Sequence, residues 1–95
     1  MTAKLLHHTR RRYDDGYIAE FKIWAVSSPV LGSAHSLKYS LFYGQKGERV
    51  VGYDNERGKG DHKHIREVEH RYNFTTVEQL IADFIADVNA QRGQK

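Results

Sequence analysis

The sequence predicts an α+β fold: an antiparallel β-meander of about five strands with one C-terminal amphipathic helix packed on one face. Three observations support this fold class. Short segments of alternating apolar and polar residues are separated by turn residues, and an apolar stripe at helical spacing fills residues 77–88. The length of 95 residues suits one domain spanning residues 1–95.

The first four strands are bounded by turn-forming residues. Asp14-Asp15-Gly16 and Gly44-Gln45-Lys46-Gly47 tolerate the positive φ angles that tight hairpins require, and the only proline, Pro29, lies in a loop at 27–33. Apolar and polar residues alternate between these turns, so one face of each strand is expected to pack on the core. The strands are predicted at residues 3–13, 17–26, 37–43 and 48–53.

A fifth strand and the helix complete the chain. Alternation over residues 65–74 predicts the strand, and Thr75 with Glu78 predicts a capping box at the start of the helix. The acidic residues lie outside the apolar stripe, so the helix is expected to turn an acidic surface to water. The sheet face that the helix leaves uncovered is expected either to curl over itself or to meet a partner, and a binding partner or a homodimer is favoured. The stripe consists of Val77, Leu80, Ile81, Phe84, Ile85 and Val88.

The composition excludes several classes of protein. No apolar run approaches the roughly 18 residues of a membrane span, and the first residues lack the apolar core of a signal peptide. Without cysteine there is no disulfide framework, no thiolate zinc site and no cysteine nucleophile. We therefore expect a cytoplasmic protein. The net charge of +3 and the pI of about 9.3 favour an anionic partner, nucleic acid first.

The connection between the fourth and fifth strands is unusually long for a hairpin. Residues 54–64 predict a basic, glycine-containing loop, whereas hairpin loops usually have about 2–5 residues. Glycine allows backbone N–H groups to approach an anion closely, which favours a phosphate-binding role. The alternative is a solvated, flexible surface loop.

The same loop carries the candidate catalytic residues. His62 and His64 are two residues apart, so in an extended segment both imidazoles lie on one side. One is then the general base and the other the general acid in RNA cleavage by the 2′-hydroxyl, which needs no metal or other cofactor. Asp61 and Asp54 are expected to orient the imidazoles. The phosphate- and RNA-binding residues are predicted to be Tyr53, Asp54, Arg57, Lys59 and Lys63.

Two other interpretations of the loop remain open. In one, Asp61, His62 and His64, with or without His70, bind a divalent metal, although the flanking lysines disfavour a cation. In the other, the loop belongs to a non-catalytic module that binds nucleic acid or protein. Salt-sensitive RNA binding without turnover distinguishes this module from an enzyme.

Two motifs and the layout of the chain carry a family resemblance. The motifs are Gly52-Tyr53-Asp54-Asn55 and Lys59-Gly60-Asp61-His62, the latter followed by His64. Together with the strand and helix layout, which extends over nearly the whole chain, they resemble the TumE-like family of bacterial and archaeal toxins. The resemblance implies the toxin of a toxin–antitoxin module, neutralised by an antitoxin of helix-turn-helix type. By analogy with small toxins that cut messenger RNA, we expect a metal-independent endoribonuclease that inhibits translation.

Overall fold

The computed structural model describes residues 3–33, 35–56 and 60–93, which form one sheet and one helix. Neighbouring strands pair antiparallel and follow one another in chain order. The expected α+β meander is confirmed, with six strands in the described part of the chain instead of about five. The elements are β1 (Ala3–Arg12), β2 (Ile18–Val26), β3 (Leu37–Gln45), β4 (Glu48–Glu56), β5 (Gly60–Ile65), β6 (Val68–Arg71) and α1 (Val77–Gln91).

The additional strand arises where the sequence predicted a long loop. β4 continues to Glu56 and β5 begins at Gly60, and the two strands pair with each other. The prediction of a loop over 54–64 is therefore wrong, because only residues 57–59 separate the strands. Residues 54–64 include no apolar side chain, so this part of the hairpin shows none of the apolar alternation by which strands are recognised.

The predicted fifth strand is interrupted by a tight turn. β5 ends at Ile65 and β6 begins at Val68. Arg66 turns the chain with a φ of 55°, in the left-handed region, and its N–H donates a hydrogen bond to the carbonyl of Val50 at 2.7 Å. The continuous strand predicted over 65–74 is therefore wrong, because the alternation of Val68, Tyr72 and Phe74 gives no sign of the turn that precedes it.

The helix buries its apolar stripe against one face of the sheet. Leu80, Phe84 and Val88 are at most 2% exposed. The ring of Phe84 packs edge-on against Phe21 and Tyr53, with centroid distances of 5.1 and 5.6 Å. These contacts confirm that the helix covers one face, and they leave the opposite face of the sheet without a helix.

The helix is capped one residue later than the sequence predicted. Oγ1 of Thr76 accepts a hydrogen bond from the backbone N–H of Gln79 at 3.0 Å, which makes Thr76 the N-cap. The predicted capping box of Thr75 and Glu78 is therefore wrong. Thr76 and Gln79 have the same spacing one residue further on, so the motif alone does not fix the position of the cap.

Acidic residues at the flank of the helix contact the sheet. The hydroxyl of Tyr53 donates a hydrogen bond to Asp87, and that of Tyr72 donates to Asp83 at 2.7 Å. Lys63 Nζ lies 3.1 Å from the Asp87 carboxylate. Burial, reinforced by these hydrogen bonds, raises the pKa of both tyrosine hydroxyls. The expectation that the helix turns its acids to water is thus wrong for these two carboxylates.

Candidate functional site

The site lies on the open face, which is the sheet face opposite the helix. Side chains alternate between the two faces along each strand, so residues paired across neighbouring strands share a face. Strand pairing thereby forms a continuous polar row on the open face. The row crosses β2 to β6 through Lys22, Ser40, Asp54, His62 and Arg71.

His62 and His64 lie side by side on β5. Their ring centroids are 5.2 Å apart and their ring planes make an angle of 84°, so the imidazoles share a face as the spacing predicts. Nδ1 of His62 lies 3.1 Å from the carbonyl oxygen of Gly60, and Nε2 lies 2.7 Å from Oδ1 of Asp54. Only 4% of His62 is exposed, so protein groups surround both of its ring nitrogens.

His64 and Asp54 each present a buried atom that has no hydrogen-bond partner among the described residues. Nε2 of His64 lies 3.2 Å from Oε1 of Glu69, whereas Nδ1 is buried and unpartnered. Oδ1 of Asp54 is also buried. It lies close to Nε2 of His62, but the two atoms do not form a hydrogen bond. One donor atom from each of Asp54, His62 and His64 lies within 4.8 Å of the other two. We call these three residues the histidine cluster.

A cleft of about 1080 Å³ opens on the same face, beside the histidine cluster. Lys22, Lys38 and Arg49 contribute basic side chains to its lining, and Trp24 contributes an indole ring. Arg49 lies across Gly52, where a Cβ would come within 2.7 Å of the arginine Cδ. The absence of a side chain at Gly52 therefore leaves room for the positively charged side chain of Arg49 beside the cluster. Spaced cations with an aromatic ring suit a polyanion that also carries bases.

Asp61 does not belong to the histidine cluster, because it points to the other face of the sheet. Its carboxylate accepts hydrogen bonds from Ser33 Oγ at 2.5 Å and from the Tyr39 hydroxyl at 2.9 Å, and it lies 2.6 Å from His35 Nε2. Burial, with the hydrogen bond to Asp61, raises the pKa of Tyr39. The expectation that Asp61 orients an imidazole of the cluster is corrected: it contacts His35. Consecutive residues of a strand face opposite sides.

The other predicted RNA-binding residues lie in different places. Lys63 and Tyr53 are on the helix side, where Lys63 pairs with a helix carboxylate and Tyr53 is 1% exposed. The ring of Tyr53 is therefore not accessible for stacking on a base. Arg57 and Lys59 lie outside the described residues. Oδ1 of Asp54 lies 2.7 Å from Nε2 of His62, and the orienting role of this carboxylate stays a prediction.

Sequence reasoning missed the basic residues of the cleft and the residues around Asp61. Lys22 and Lys38 alternate with apolar residues in the predicted strands, and this signal alone placed them on the face away from the core. Their proximity to the histidine cluster depends on strand register, which the sequence does not show. Ser33 and His35 lie in and just after a segment predicted as a loop, where no periodicity assigns a direction to a side chain.

One comparison with known proteins gives a match. A family model described as Toxin TumE matches residues 2–92. No curated protein and no solved structure matches the chain significantly. Among the described residues, no helix is long and apolar enough to cross a membrane.

Proposed function

Because the chain belongs to the TumE toxin family, we propose that it acts on RNA as a metal-independent endoribonuclease and thereby inhibits translation. The observation that carries the proposal is the pair His62 and His64, with ring centroids 5.2 Å apart, beside a cleft with basic side chains. RNA supplies its own nucleophile, the 2′-hydroxyl. The protein therefore has to move two protons and stabilise the charge on phosphorus.

RNA is bound through its phosphates on the open face. Lys22, Lys38 and Arg49 contact phosphate oxygens, and Trp24 provides a surface on which a base stacks. Arg57 and Lys59 stay proposed phosphate ligands on the strength of the sequence. This mode of binding reads no particular sequence, because phosphates are the same at every position.

The two imidazoles have different roles in this reaction. The Glu69 carboxylate favours a proton on Nε2 of His64, which leaves the lone pair of Nδ1 to accept the 2′-hydroxyl proton. The 2′-oxygen attacks phosphorus and the bond to the 5′-oxygen breaks. His62, whose Nε2 lies 2.7 Å from Oδ1 of Asp54, donates its proton to that oxygen. The products are a 2′,3′-cyclic phosphate and a 5′-hydroxyl. Nδ1 of His64 is buried in the free protein, so RNA binding has to turn this ring toward the cleft.

The same burial supports a second function, RNA binding without cleavage. His62 is 4% exposed and Nδ1 of His64 is buried, so neither ring is open to substrate in the free protein. In that case the basic cleft would sequester RNA, and the affinity would fall steeply as the salt concentration rises.

Cleavage of RNA by the purified protein in EDTA tests the proposal. Wild type is compared with the His62→Ala/His64→Ala double variant and with His70→Ala, a control on the exposed strand β6. We expect cyclic phosphate termini from wild type and from the control, and none from a double variant whose circular dichroism spectrum is unchanged. Equal cleavage by all samples contradicts the assignment to this site. RNA binding without cleavage in any sample supports the second function.

Membership of a toxin family supports an antitoxin partner. We propose an antitoxin of helix-turn-helix type, which the sequence resemblance implies, and the cytoplasm as the place of action. Covering the open face would neutralise the toxin, so antitoxin and RNA are expected to compete in a binding assay. A homodimer through the same face stays a prediction, and light scattering of the purified protein tests it.

A further inference from the structure

We infer that Asp54, His62 and His64 form a binding site for a divalent transition-metal ion such as Zn²⁺. Imidazole nitrogens and carboxylate oxygens are the donors that Zn²⁺ takes in proteins without cysteine. One donor atom from each of the three side chains lies within 4.8 Å of the other two. Ligands of a tetrahedral zinc at about 2.0–2.1 Å lie roughly 3.4 Å apart, so small side-chain rotations complete the site.

The contacts of the two imidazoles select the nitrogens that would bind the ion. A carbonyl oxygen only accepts hydrogen bonds, so Nδ1 of His62, 3.1 Å from the carbonyl of Gly60, carries the proton of the neutral imidazole, and Nε2 of that neutral form keeps its lone pair. In His64 the carboxylate of Glu69, 3.2 Å from Nε2, leaves the lone pair on Nδ1. Metal-bound histidines in proteins usually show this arrangement, in which the second nitrogen donates to a carbonyl or a carboxylate.

Buried polar atoms in the cluster provide an independent observation. Oδ1 of Asp54 and Nδ1 of His64 are buried and have no hydrogen-bond partner among the described residues. Oδ1 also lies 2.7 Å from Nε2 of His62, so two acceptors face each other when that imidazole is neutral. Buried acceptors without partners are costly. A cation among the three atoms satisfies all of them at once.

The lysine nearest to the two histidines in the sequence does not oppose a cation in the cluster. Lys63 stands between the two histidines in the sequence, but its ammonium group lies on the other face, 3.1 Å from Asp87. The side chain of Asp54 is 40% exposed, so solvent reaches the edge of the cluster, while Oδ1 of Asp54 and Nδ1 of His64 are buried. Three protein ligands leave a fourth position for water or a phosphate oxygen on the side of the cleft.

An ion at this site would also regulate the proposed reaction, and this part of the inference rests on the proposed function. The lone pairs that bind the ion are those that RNA cleavage needs for proton transfer. When Zn²⁺ is bound, Nδ1 of His64 accepts no proton and Nε2 of His62 carries none. Metal binding therefore suppresses metal-independent cleavage.

Calorimetric titration of metal-free protein with Zn²⁺ tests the site directly. We expect one ion per chain, and an affinity at least about tenfold lower for Asp54→Asn and for His64→Ala, with His70→Ala unchanged. Asp54→Asn preserves side-chain size, so it keeps the test valid if His64→Ala fails to fold. Zn²⁺ should raise the Tm of wild type and of His70→Ala, and change that of the two cluster variants much less. No binding, or equal binding by all variants, overturns the site.

RNA cleavage with and without one equivalent of Zn²⁺ separates the two proposals. Cleavage by the metal-free protein that Zn²⁺ suppresses in wild type, and suppresses less in Asp54→Asn, supports the regulatory role. Stimulation by Zn²⁺ overturns that role. If no sample cleaves RNA, the proposed function fails, while the calorimetric titration still decides whether the site exists.

Discussion

Asp61 and His62 are consecutive residues of β5, yet their side chains belong to separate clusters on opposite faces of the sheet. Asp61 accepts hydrogen bonds from Ser33 and Tyr39 on the side of the core, whereas His62 lies 2.7 Å from Asp54 on the open face. One cluster therefore fixes the connection before β3 to the sheet, and the other borders the cleft. Substitutions in the two clusters should have different consequences.

The first prediction compares two isosteric substitutions in these clusters. Asp61→Asn should lower the free energy of unfolding by about 1–3 kcal/mol, because the amide presents a donor where the carboxylate accepts from Ser33 or Tyr39. Asp54→Asn should cost less, since its side chain is 40% exposed. Urea denaturation of both variants measures the difference. A greater loss of unfolding free energy for Asp54→Asn than for Asp61→Asn would show that the cluster on the open face, and not the one around Asp61, stabilises the fold more.

The second prediction concerns the apolar stripe of the helix. Leu80 is 0% exposed, so Leu80→Ala should lower the free energy of unfolding by about 2–5 kcal/mol through the cavity that it leaves. Ile85 belongs to the predicted stripe but is 44% exposed, and Ile85→Ala is the matched control with a loss below about 1 kcal/mol. Chemical denaturation measures both. Equal losses would show that the helix does not pack as described.

The third prediction is a loss of stability at alkaline pH. Burial raises the pKa of Tyr39, Tyr53 and Tyr72, and hydrogen bonds to carboxylates add to the effect. In the unfolded chain these groups ionise near pH 10. Their contribution to stability is therefore complete below about pH 10 and declines as the pH rises further, because the unfolded state then releases protons that the folded state retains. Absorbance at 295 nm should show these tyrosines ionising together with unfolding; their ionisation in a chain that stays folded would contradict the prediction.

The fourth prediction separates cations of the cleft from cations elsewhere. If Lys22 and Lys38 each contact one RNA phosphate, replacing either by alanine should reduce the slope of log affinity against log salt by about 0.7. Lys46, in the turn between β3 and β4, does not line the cleft and is the control. Fluorescence anisotropy with a labelled RNA at several salt concentrations measures the slopes. An equal change for Lys46→Ala would place the RNA elsewhere.

Much of the fold could be predicted because apolar periodicity records which side chains are buried. The alternation in β2 places Phe21 and Ile23 on the core face, and the helical stripe places Leu80 and Phe84 against the sheet. The end of β4 and strand β5 escaped prediction because residues 54–64 include no apolar side chain. Periodicity detects a difference in burial between alternate residues, and Asp61 and His62 are similar in polarity.

The candidate site could be predicted only in part, because a site combines residues from several strands. His62 and His64 lie within one strand, so their spacing in the sequence was sufficient to place them together. Asp54 is near His62 because β4 and β5 pair in one particular register, and Lys22 joins the row through two further pairings. A shift of one residue in any of these pairings would move the side chain to the other face.

The order of the elements has a consequence for the synthesis of the protein. Every strand of the meander pairs with its neighbour in the sequence, so each hairpin is able to form soon after its residues leave the ribosome. The helix that covers the core face follows all of the strands. Until it has been synthesised, Phe21, Leu41 and Tyr53 face water, and the sheet lacks most of the burial that stabilises it. Burial of the core face therefore waits until α1 has been synthesised, and we expect a newly made chain to be inactive until then.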